Sequence, residues 1–535
     1  DFNHPVNIRA NDEFFYFARI REVIDGHPTI GNAYLSEHKS KPSAPLFLGE
    51  WLLAQPLKFL RMGVVAGDVL YDFFLPALAT LLGYLCFFAV TRSRWLSLPF
   101  SAALFLGLLR AELGRAVFPQ LVLPFWLSLF LWLYLLVEGR GKNRRLLIFS
   151  AAINFGLLFY LYPYYWTFYI SLFSLFFIWS LFFKDFKTAK ILAAVAAGGL
   201  VIAIPYFLTA IRAARLPEYI ATLQRIGMIY THFPSGWIIL VISLFFTAAA
   251  VFLILMKILP RDRMPFFMLG GIITAAAVTN QHLITGVNFE FSSHYQLITF
   301  LWAAFFLAYI WRQLLIRYPA REKLLKYSAA TAAIVIVLWR LWPFNLAPAP
   351  SPDKIKSFGR GVEVIKWVEA NTAKDEVIYA PSYLSSLLPI YTSANVYFSV
   401  PARLFFLSDE EVLDRFVIAN FYQPQFNAEF VRSNIRSVYG VRFINTAAHH
   451  SRENMVRRLV GLPLKKVDPI PEEAVNRVLN RYQEIRAIGF EQALKRYRAD
   501  YVIWDKSERG EAPYDKFAFL ERVGSVGPFN IYRVR

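Results

Sequence analysis

Apolar positions along this chain are gathered into long runs separated by short polar connections. Ten runs of mostly apolar residues recur between Val69 and Trp342, near 69–90, 95–110, 119–138, 146–162, 164–183, 191–211, 236–256, 264–280, 295–311 and 327–342. Each is about long enough to cross a hydrocarbon core of roughly 30 Å as a helix, the form that satisfies its own backbone hydrogen bonds in lipid. Pro76, Pro99, Pro124, Gly198, Gly199 and Pro205 interrupt several of them, which spans tolerate when neighbouring helices re-satisfy the backbone. The pattern predicts a polytopic α-helical membrane domain over 69–344 with about ten spans.

The flanks differ from this core. In residues 1–68, Asn11 or Asp12 is placed to cap a helix over "EFFYFARIREVI", and Gly26 supplies its stop. Asp12, Tyr16, Arg19 and Val23 fall at i, i+4, i+7 and i+11, so one helical face is expected to carry a carboxylate, a phenol and a guanidinium. Phe14, Phe17, Ala18, Ile20 and Ile24 are expected along the membrane surface, as in an interfacial amphipathic helix. Beyond a stiff linker at Pro343, Pro348, Pro350 and Pro352, the tail mixes charges with short apolar strands. Helices are predicted at "KSFGRGVEVIKWVEAN", "EEAVNRVLNRYQEI" and "EQALKRYR", strands at "EVIYA", "VYFSV" and "DYVIWD", and a terminal strand pair at "LERVGSV" and "FNIYRVR". Ser408 and Glu411 stand at capping-box spacing. This alternation predicts a compact C-terminal α/β domain over 345–535.

Lys and Arg in the short connections orient the whole. Alternate loops carry clusters such as Arg140, Lys142, Arg144 and Arg145, or Lys257, Arg261 and Arg263, and are read as cytoplasmic. With ten spans in alternation, both 1–68 and the tail are expected outside, in the cytoplasmic (inner) membrane of a bacterium or archaeon. A first segment that begins outside is expected to follow either a removed signal peptide or a further span upstream, an eleventh, of which the second is the favoured reading.

Composition agrees. The 535 residues are 56% hydrophobic and 17% aromatic, with 51 Phe and only 18% charged, a profile that excludes a soluble globule. The formal net charge of +19 largely reflects the cytoplasmic loops, so it reports topology and contact with anionic lipid and gives no support to nucleic-acid binding. Cys86 is the single cysteine, so no disulfide forms within the chain.

Candidate chemistry gathers in the outer segments. Glu37 stands beside His38, an acid and an imidazole able to move protons or hold a metal. No His pair has metal-ligand spacing, so no metal residues are assigned. "LLRAELGRAVFPQ" places Arg110, Glu112 and Arg115 at the mouth of a span pair, and "TNQHLITGVNFEFSSHYQ" contributes Gln281, Glu290 and His294. Arg212 and Arg215 lie in another outer connection. Polar groups on one membrane side in several loops suggest a site more strongly than any one of them alone.

The element "NDEFFYFARIRE", with its Asp-Glu-x-x-Tyr-x-x-Arg pattern, resembles the first-loop motif of GT-C superfamily membrane glycosyltransferases, in the branch of the aminoarabinose and protein O-mannosyl transferases. "NQHLITG" followed by "HY" is similar to an element of uncharacterised bacterial and archaeal relatives. The chain has neither a Trp-Trp-Asp motif in its tail nor an Asp-x-Asp in its second outer loop, which departs from the oligosaccharyltransferase branch. The resemblance implies about eleven to thirteen spans, a catalytic acid in the first loop, and an inverting glycosyltransferase drawing on a polyprenyl-phosphate sugar donor in the membrane lipid for an extracytoplasmic acceptor. It implies Asp12 as general base, with Glu13 and Glu37 (beside His38) as competitors, Tyr16, Arg19, Glu112, Gln281 and Glu290 as substrate contacts, and Arg110, Arg115, Arg212, Arg215 and His294 around the donor phosphate. No cofactor is required; a divalent cation is compatible with the chemistry. The rival readings are a transporter or flippase of lipid-linked glycans, which would hold ionisable groups near the midplane, and a non-catalytic subunit on a transferase-like scaffold.

Overall fold

The computed structural model describes residues 11–42, 47–109, 112–141, 143–289, 294–341, 352–510 and 513–535. Among these, seven helices are long and apolar enough to cross a membrane: Val64–Thr91, Ala116–Glu138, Arg144–Leu161, Pro163–Phe182, Trp237–Leu255, Arg263–Thr285 and Tyr295–Arg317. The other three expected runs are helical too, but each for a reason falls short of a straight span. Phe186–Ile202 and Ile204–Ala214 bend by 55° at Ala203, where Pro205 withholds a backbone N–H, and count as an eighth span if taken together. Arg94–Leu108 is shorter. Glu322–Leu341 carries Glu322, Lys323, Lys326 and Arg340 at its ends, which leaves a shorter apolar middle. The chain is thus a multi-pass helical membrane protein with a sheet-bearing C-terminal region.

The chain divides into two compact units. One consists of 70–208 and 231–349 and holds most of the apolar helices. Its outward side chains are those of a lipid-facing surface, with Phe73, Trp95, Phe149, Ile178, Leu244 and Phe245 all exposed. Its interior is aromatic: Trp126, Phe130, Trp302 and Phe305 stack and edge against one another at centroid distances of 4.3–6.4 Å. Close helix approach depends on small residues. At Gly271 a Cβ would lie 1.9 Å from Trp302, whose Nε1 donates to the Met268 carbonyl at 2.7 Å.

The other unit is assembled from three separated stretches, 1–69, 209–230 and 350–535. These three stretches pack together although they are far apart in the chain. Its sheet has five strands, β1 (Val377–Tyr379), β2 (Asn395–Val396), β3 (Tyr501–Asp505), β4 (Leu520–Val526) and β5 (Phe529–Val534), in the order β2-β1-β3-β5-β4. β1 is parallel to both neighbours, whereas β3–β5 and β5–β4 are antiparallel. β1 and β3 are buried along their whole length, the usual state of strands covered on both faces. β4 is the polar edge, with Glu521 and Arg522 exposed. Ser408 caps Asp409–Ala419 as its spacing predicts, its hydroxyl accepting from the Glu411 N–H at 3.1 Å.

Candidate functional site

The first predicted element forms as helix α1, Asn11–Ile24, and the chain turns out of it at Gly26 with φ +97°. Its faces differ from the expectation. Phe17, Ala18 and Ile20 are not spread on a membrane surface; they are buried, because α1 packs against Leu48–Leu60 (α2) and Ser382–Tyr391 within the unit. Arg19 likewise turns inward. Its Nε donates to Glu50 Oε1 at 2.6 Å, with both side chains only 5% exposed, and its guanidinium lies 5.0 Å from the Phe15 ring centroid. The expected polar face is therefore split: Asp12 is exposed and Tyr16 half-buried, while Arg19 and Val23 are buried. Glu13 is buried at 1% exposure. The Tyr34 hydroxyl donates to the Phe14 carbonyl at 2.8 Å and completes the clamp on α1.

Glu37 and His38 lie on a single 3-10 turn, Ser36–His38, but their side chains go to different partners in the tail. His38 Nε2 meets both Glu411 oxygens at 2.8 and 3.0 Å. Arg415 Nε donates to Glu411 Oε1 at 2.8 Å and its Nη2 lies 3.1 Å from Glu37 Oε2, while the guanidinium stacks 4.0 Å from the Tyr497 ring. Glu37 Oε1 also accepts from the Arg498 N–H at 3.1 Å. Burial pushes the Glu37 carboxyl up, but Arg415 and these backbone donors outweigh it and hold it below its ordinary value; Glu411 is lowered against burial by His38 and Arg415. Both residues of the pair are engaged in docking the first loop to the tail. A second brace runs through Lys39, 2.8 Å from both Glu22 and Asp375. Burial keeps the Glu22 carboxyl above its ordinary value despite Lys39. Backbone joins in where the Val396 N–H donates to the Tyr34 carbonyl at 2.9 Å.

In the same unit, Arg212 and Arg215 are exposed. Arg225, which no motif singles out, is buried instead: Nη1 meets Asp409 at 2.5 Å, Nη2 donates to the Leu407 carbonyl at 2.6 Å, and Arg442 supports the same Asp409 at 2.9 Å.

The other unit, taken by itself, brings two sequence candidates together from loops far apart in the chain. Arg115 lies 5.8 Å over Phe118, Phe118 stacks on Tyr162 at 4.0 Å, and His294 meets Phe118 at 5.4 Å and stacks on Tyr164 at 4.9 Å. The Tyr162 hydroxyl is hydrogen-bonded to His294 Nδ1. Burial first, and Arg115 second, lower the His294 pKa to about 4, which favours the neutral imidazole at physiological pH. Gln281 is taken up locally, its amide donating to the Val287 carbonyl at 2.8 Å and its oxygen accepting from Thr285 at 2.7 Å. Glu112 opens the 3-10 turn Glu112–Gly114. Arg110 and Glu290 lie outside the described residues.

Sequence reasoning passed over Asp72, which falls inside the first apolar run, and Gln120, whose amide donates to Asp72 Oδ1 at 2.5 Å and to the Leu113 carbonyl at 2.7 Å. The available signal was Asp68 and Asp72 one turn apart at the start of a 28-residue apolar helix, since an ionisable group there is a functional hypothesis by default. A cavity of about 640 Å³, lined among others by Arg92, Glu138, Asp185, Arg263 and Arg312, opens at the opposite ends of the helices that carry the Arg115–His294 cluster. Among the described residues no group of three or more His, Cys, Asp or Glu is placed to hold a metal ion.

No protein-family model and no curated protein matches the chain. Solved structures do. Similar ones are GT-C glycosyltransferases. The oligosaccharyltransferase of Archaeoglobus fulgidus in the apo form aligns over 93% of this chain at 11% identity and a TM-score of 0.47, and the chain spans 66% of that protein's length. ArnT from Cupriavidus metallidurans bound to undecaprenyl phosphate aligns over 98% of this chain and 93% of its own, at 14% identity and a TM-score of 0.43. Its apo state gives 15% identity and 0.41, over 99% and 94%.

Proposed function

We propose that this chain is an inverting glycosyltransferase that moves a sugar from a polyprenyl-phosphate donor to an extracytoplasmic acceptor, with Asp12 as general base. One observation carries the reading. Asp12 is an exposed carboxylate at the start of a helix that buries Phe17, Ala18, Arg19, Ile20 and Val23 and is clamped by Glu50 at Arg19 and by Tyr34 at the Phe14 carbonyl. A solvated acid on a rigid mount is what a positioned base requires, since geometry governs proton transfer before pKa does. The first-loop motif that Asp12 opens supports the same role. Glu13 is buried and Glu37 is held by Arg415, so neither is as accessible a base.

Nucleotide sugars are cytoplasmic, and the loop charges place the first segment outside; the donor suited to that side is a lipid-phosphate sugar. The acceptor hydroxyl attacks the anomeric carbon from the face opposite the phosphate, its proton passes to Asp12, the bond from the anomeric carbon to the phosphate oxygen breaks, and polyprenyl phosphate leaves with the electron pair. The leaving phosphate needs cationic and hydrogen-bonding support. Within 70–208 and 231–349, Arg115 and His294 are the sequence candidates for such support that come together.

The test is single-turnover release of polyprenyl phosphate from labelled polyprenyl-phosphate sugars by the purified chain. Asp12→Asn keeps the shape and any capping ability but removes the base, and is expected to cost on the order of a hundredfold or more in rate with folding intact. Undiminished turnover by this variant would refute the assignment. Loss only in Glu13→Gln or Glu37→Gln would move the base to that residue.

A further inference from the structure

Within the tail, exposed large apolar side chains are not scattered. Of the eight among the described residues of 352–535, seven fall between Met455 and Val467, and Val523 is the other. Met455, Val456 and Leu459 lie along the last turns of the helix Arg442–Leu459, and Val460, Leu462, Leu464 and Val467 follow in the segment that turns back; Leu459 is 85% exposed.

This tip is built, not frayed. The chain reverses at Gly461, φ +73°, and is then fastened to the helix it has just left. Asn454 Nδ2 donates to the Lys465 carbonyl at 2.8 Å and its Oδ1 accepts from the Lys465 N–H at 2.9 Å. Arg457 Nη1 donates to the Pro463 carbonyl at 2.8 Å, and the Leu462 N–H donates to the Arg457 carbonyl at 2.9 Å. Glu453, nearly buried, holds Arg457 and Lys465 at 2.7 Å each. Asn454, Glu453, Arg457 and Lys465 thus fasten the hairpin to its stem, and the apolar groups are held out.

Next to the apolar tip along the chain stand Arg452, Arg457, Arg458, Lys465 and Lys466; Arg457 and Lys465 share Glu453 and Lys466 pairs with Asp468 at 3.0 Å, so five cations against two carboxylates leave an excess of three positive charges. Apolar side chains ringed by cations match one partner chemistry in particular, the interface of an anionic bilayer, where hydrocarbon accepts the tip and headgroup phosphates meet the collar. A bilayer is also always at hand, because the chain passes between this unit and the apolar helices near 69, 209, 230 and 350. We infer that the hairpin 455–467 is a membrane-docking tip that seats the tail on the surface of an anionic leaflet. The inference stands apart from the transferase reading and needs no activity to test.

The experiment uses the full chain with Cys86→Ser and Leu459→Cys, labelled with an environment-sensitive fluorophore and placed one copy per nanodisc of 70:30 phosphatidylcholine and phosphatidylglycerol, with a nitroxide on a shallow acyl position of a trace lipid. Gln492→Cys, at an exposed polar position of the tail, is the control. The Leu459 label is expected to shift to the blue and be quenched at least about twofold more than the control, as an interfacial side chain is. Arg458→Glu with Lys466→Glu, or replacement of phosphatidylglycerol by phosphatidylcholine, should lower that quenching. Equal quenching at both positions overturns the inference, and so does a blue shift seen only when two copies share a disc, which would make the occupant a second chain. Should the cysteine variant fail to fold, hydrogen exchange of 455–467 in the unaltered protein decides: protection in anionic nanodiscs beyond that in neutral ones supports docking, and equal exchange refutes it.

Discussion

The Arg19–Glu50 pair offers a test in which the sign of the effect is as informative as its size. Both side chains are 5% exposed and their charged atoms are 2.6 Å apart, so neither has water to fall back on. Replacing Glu50 by Leu takes away the carboxylate that faces the buried guanidinium, and the expected loss is about 3–5 kcal/mol, the range for breaking a buried pair from one side. Replacing Arg19 by Met strands the carboxylate and should cost a similar amount. The double variant removes both desolvation penalties and leaves apolar side chains of comparable volume in the pocket between α1 and α2. Its stability should return to within about 1–2 kcal/mol of the parent, giving a coupling well above the few tenths expected of an exposed pair. Pulse proteolysis in detergent, following cuts within residues 11–60, reads these differences. Two single variants each costing under about 1 kcal/mol, or a double variant that costs the sum of the two, would show that the pair is not what clamps α1. Because α1 carries Asp12, the same series ties stability to chemistry: glycosyl transfer should fall with the singles and recover in the double.

Other consequences follow from distances already given. Glu37 and Glu411 have folded pKa values below the ordinary 4.5, so their contribution to docking the loop is complete above that value and is lost as pH falls through the lowered folded values; Arg415→Met should move the onset of proteolysis at 31–42 to higher pH, and an unmoved onset would deny Arg415 its part. Gly271→Ala drives a Cβ into the Trp302 ring and should cost about 1–3 kcal/mol by thermal unfolding in detergent, whereas Gly270→Ala, whose Cβ has nothing nearer than 3.9 Å, should be close to neutral; equal effects would refute the packing argument. Arg115→Gln should weaken binding of polyprenyl phosphate by about tenfold or more in competition with a labelled analogue, as loss of a charge-assisted contact does, and unchanged binding would remove Arg115 from the donor site.

What the sequence revealed divides along the range of the forces involved. Local signals were legible: the apolar periods that become helices, Ser408 three residues before Glu411, Gly26 at the end of α1, and the terminal hairpin. Asp12 was singled out by position and motif together, and its role as base remains a proposal. The inward turn of Arg19 was not legible, because helical spacing says which residues share a face and not whether Glu50, 31 residues on, waits behind it. Glu37 and His38 looked like a pair because they are adjacent; their partners, Glu411 and Arg415, are more than 370 residues away and carry no signature of their own. Arg225 and Asp409 were missed for the same reason. Asp72 was passed over because one carboxylate scarcely changes the hydropathy of a 28-residue helix. The approach of Arg115 to His294 is set by how helices pack, and spacing along the chain is silent on it.

The unit made from 1–69, 209–230 and 350–535 also sets a timetable for synthesis. Arg225 is fully enclosed by groups that follow it by about 180 residues, and Tyr34 and His38 wait for Val396 and Glu411. While the ribosome is still feeding helices into the bilayer, the first loop must therefore wait with its future interior open to water and to proteases. Only when residues near 415 have been delivered can its buried charges find their counterparts. The tail is in this sense the closing piece of the first loop, and a chain halted just before it leaves apolar helices joined to a body that has no way to shut.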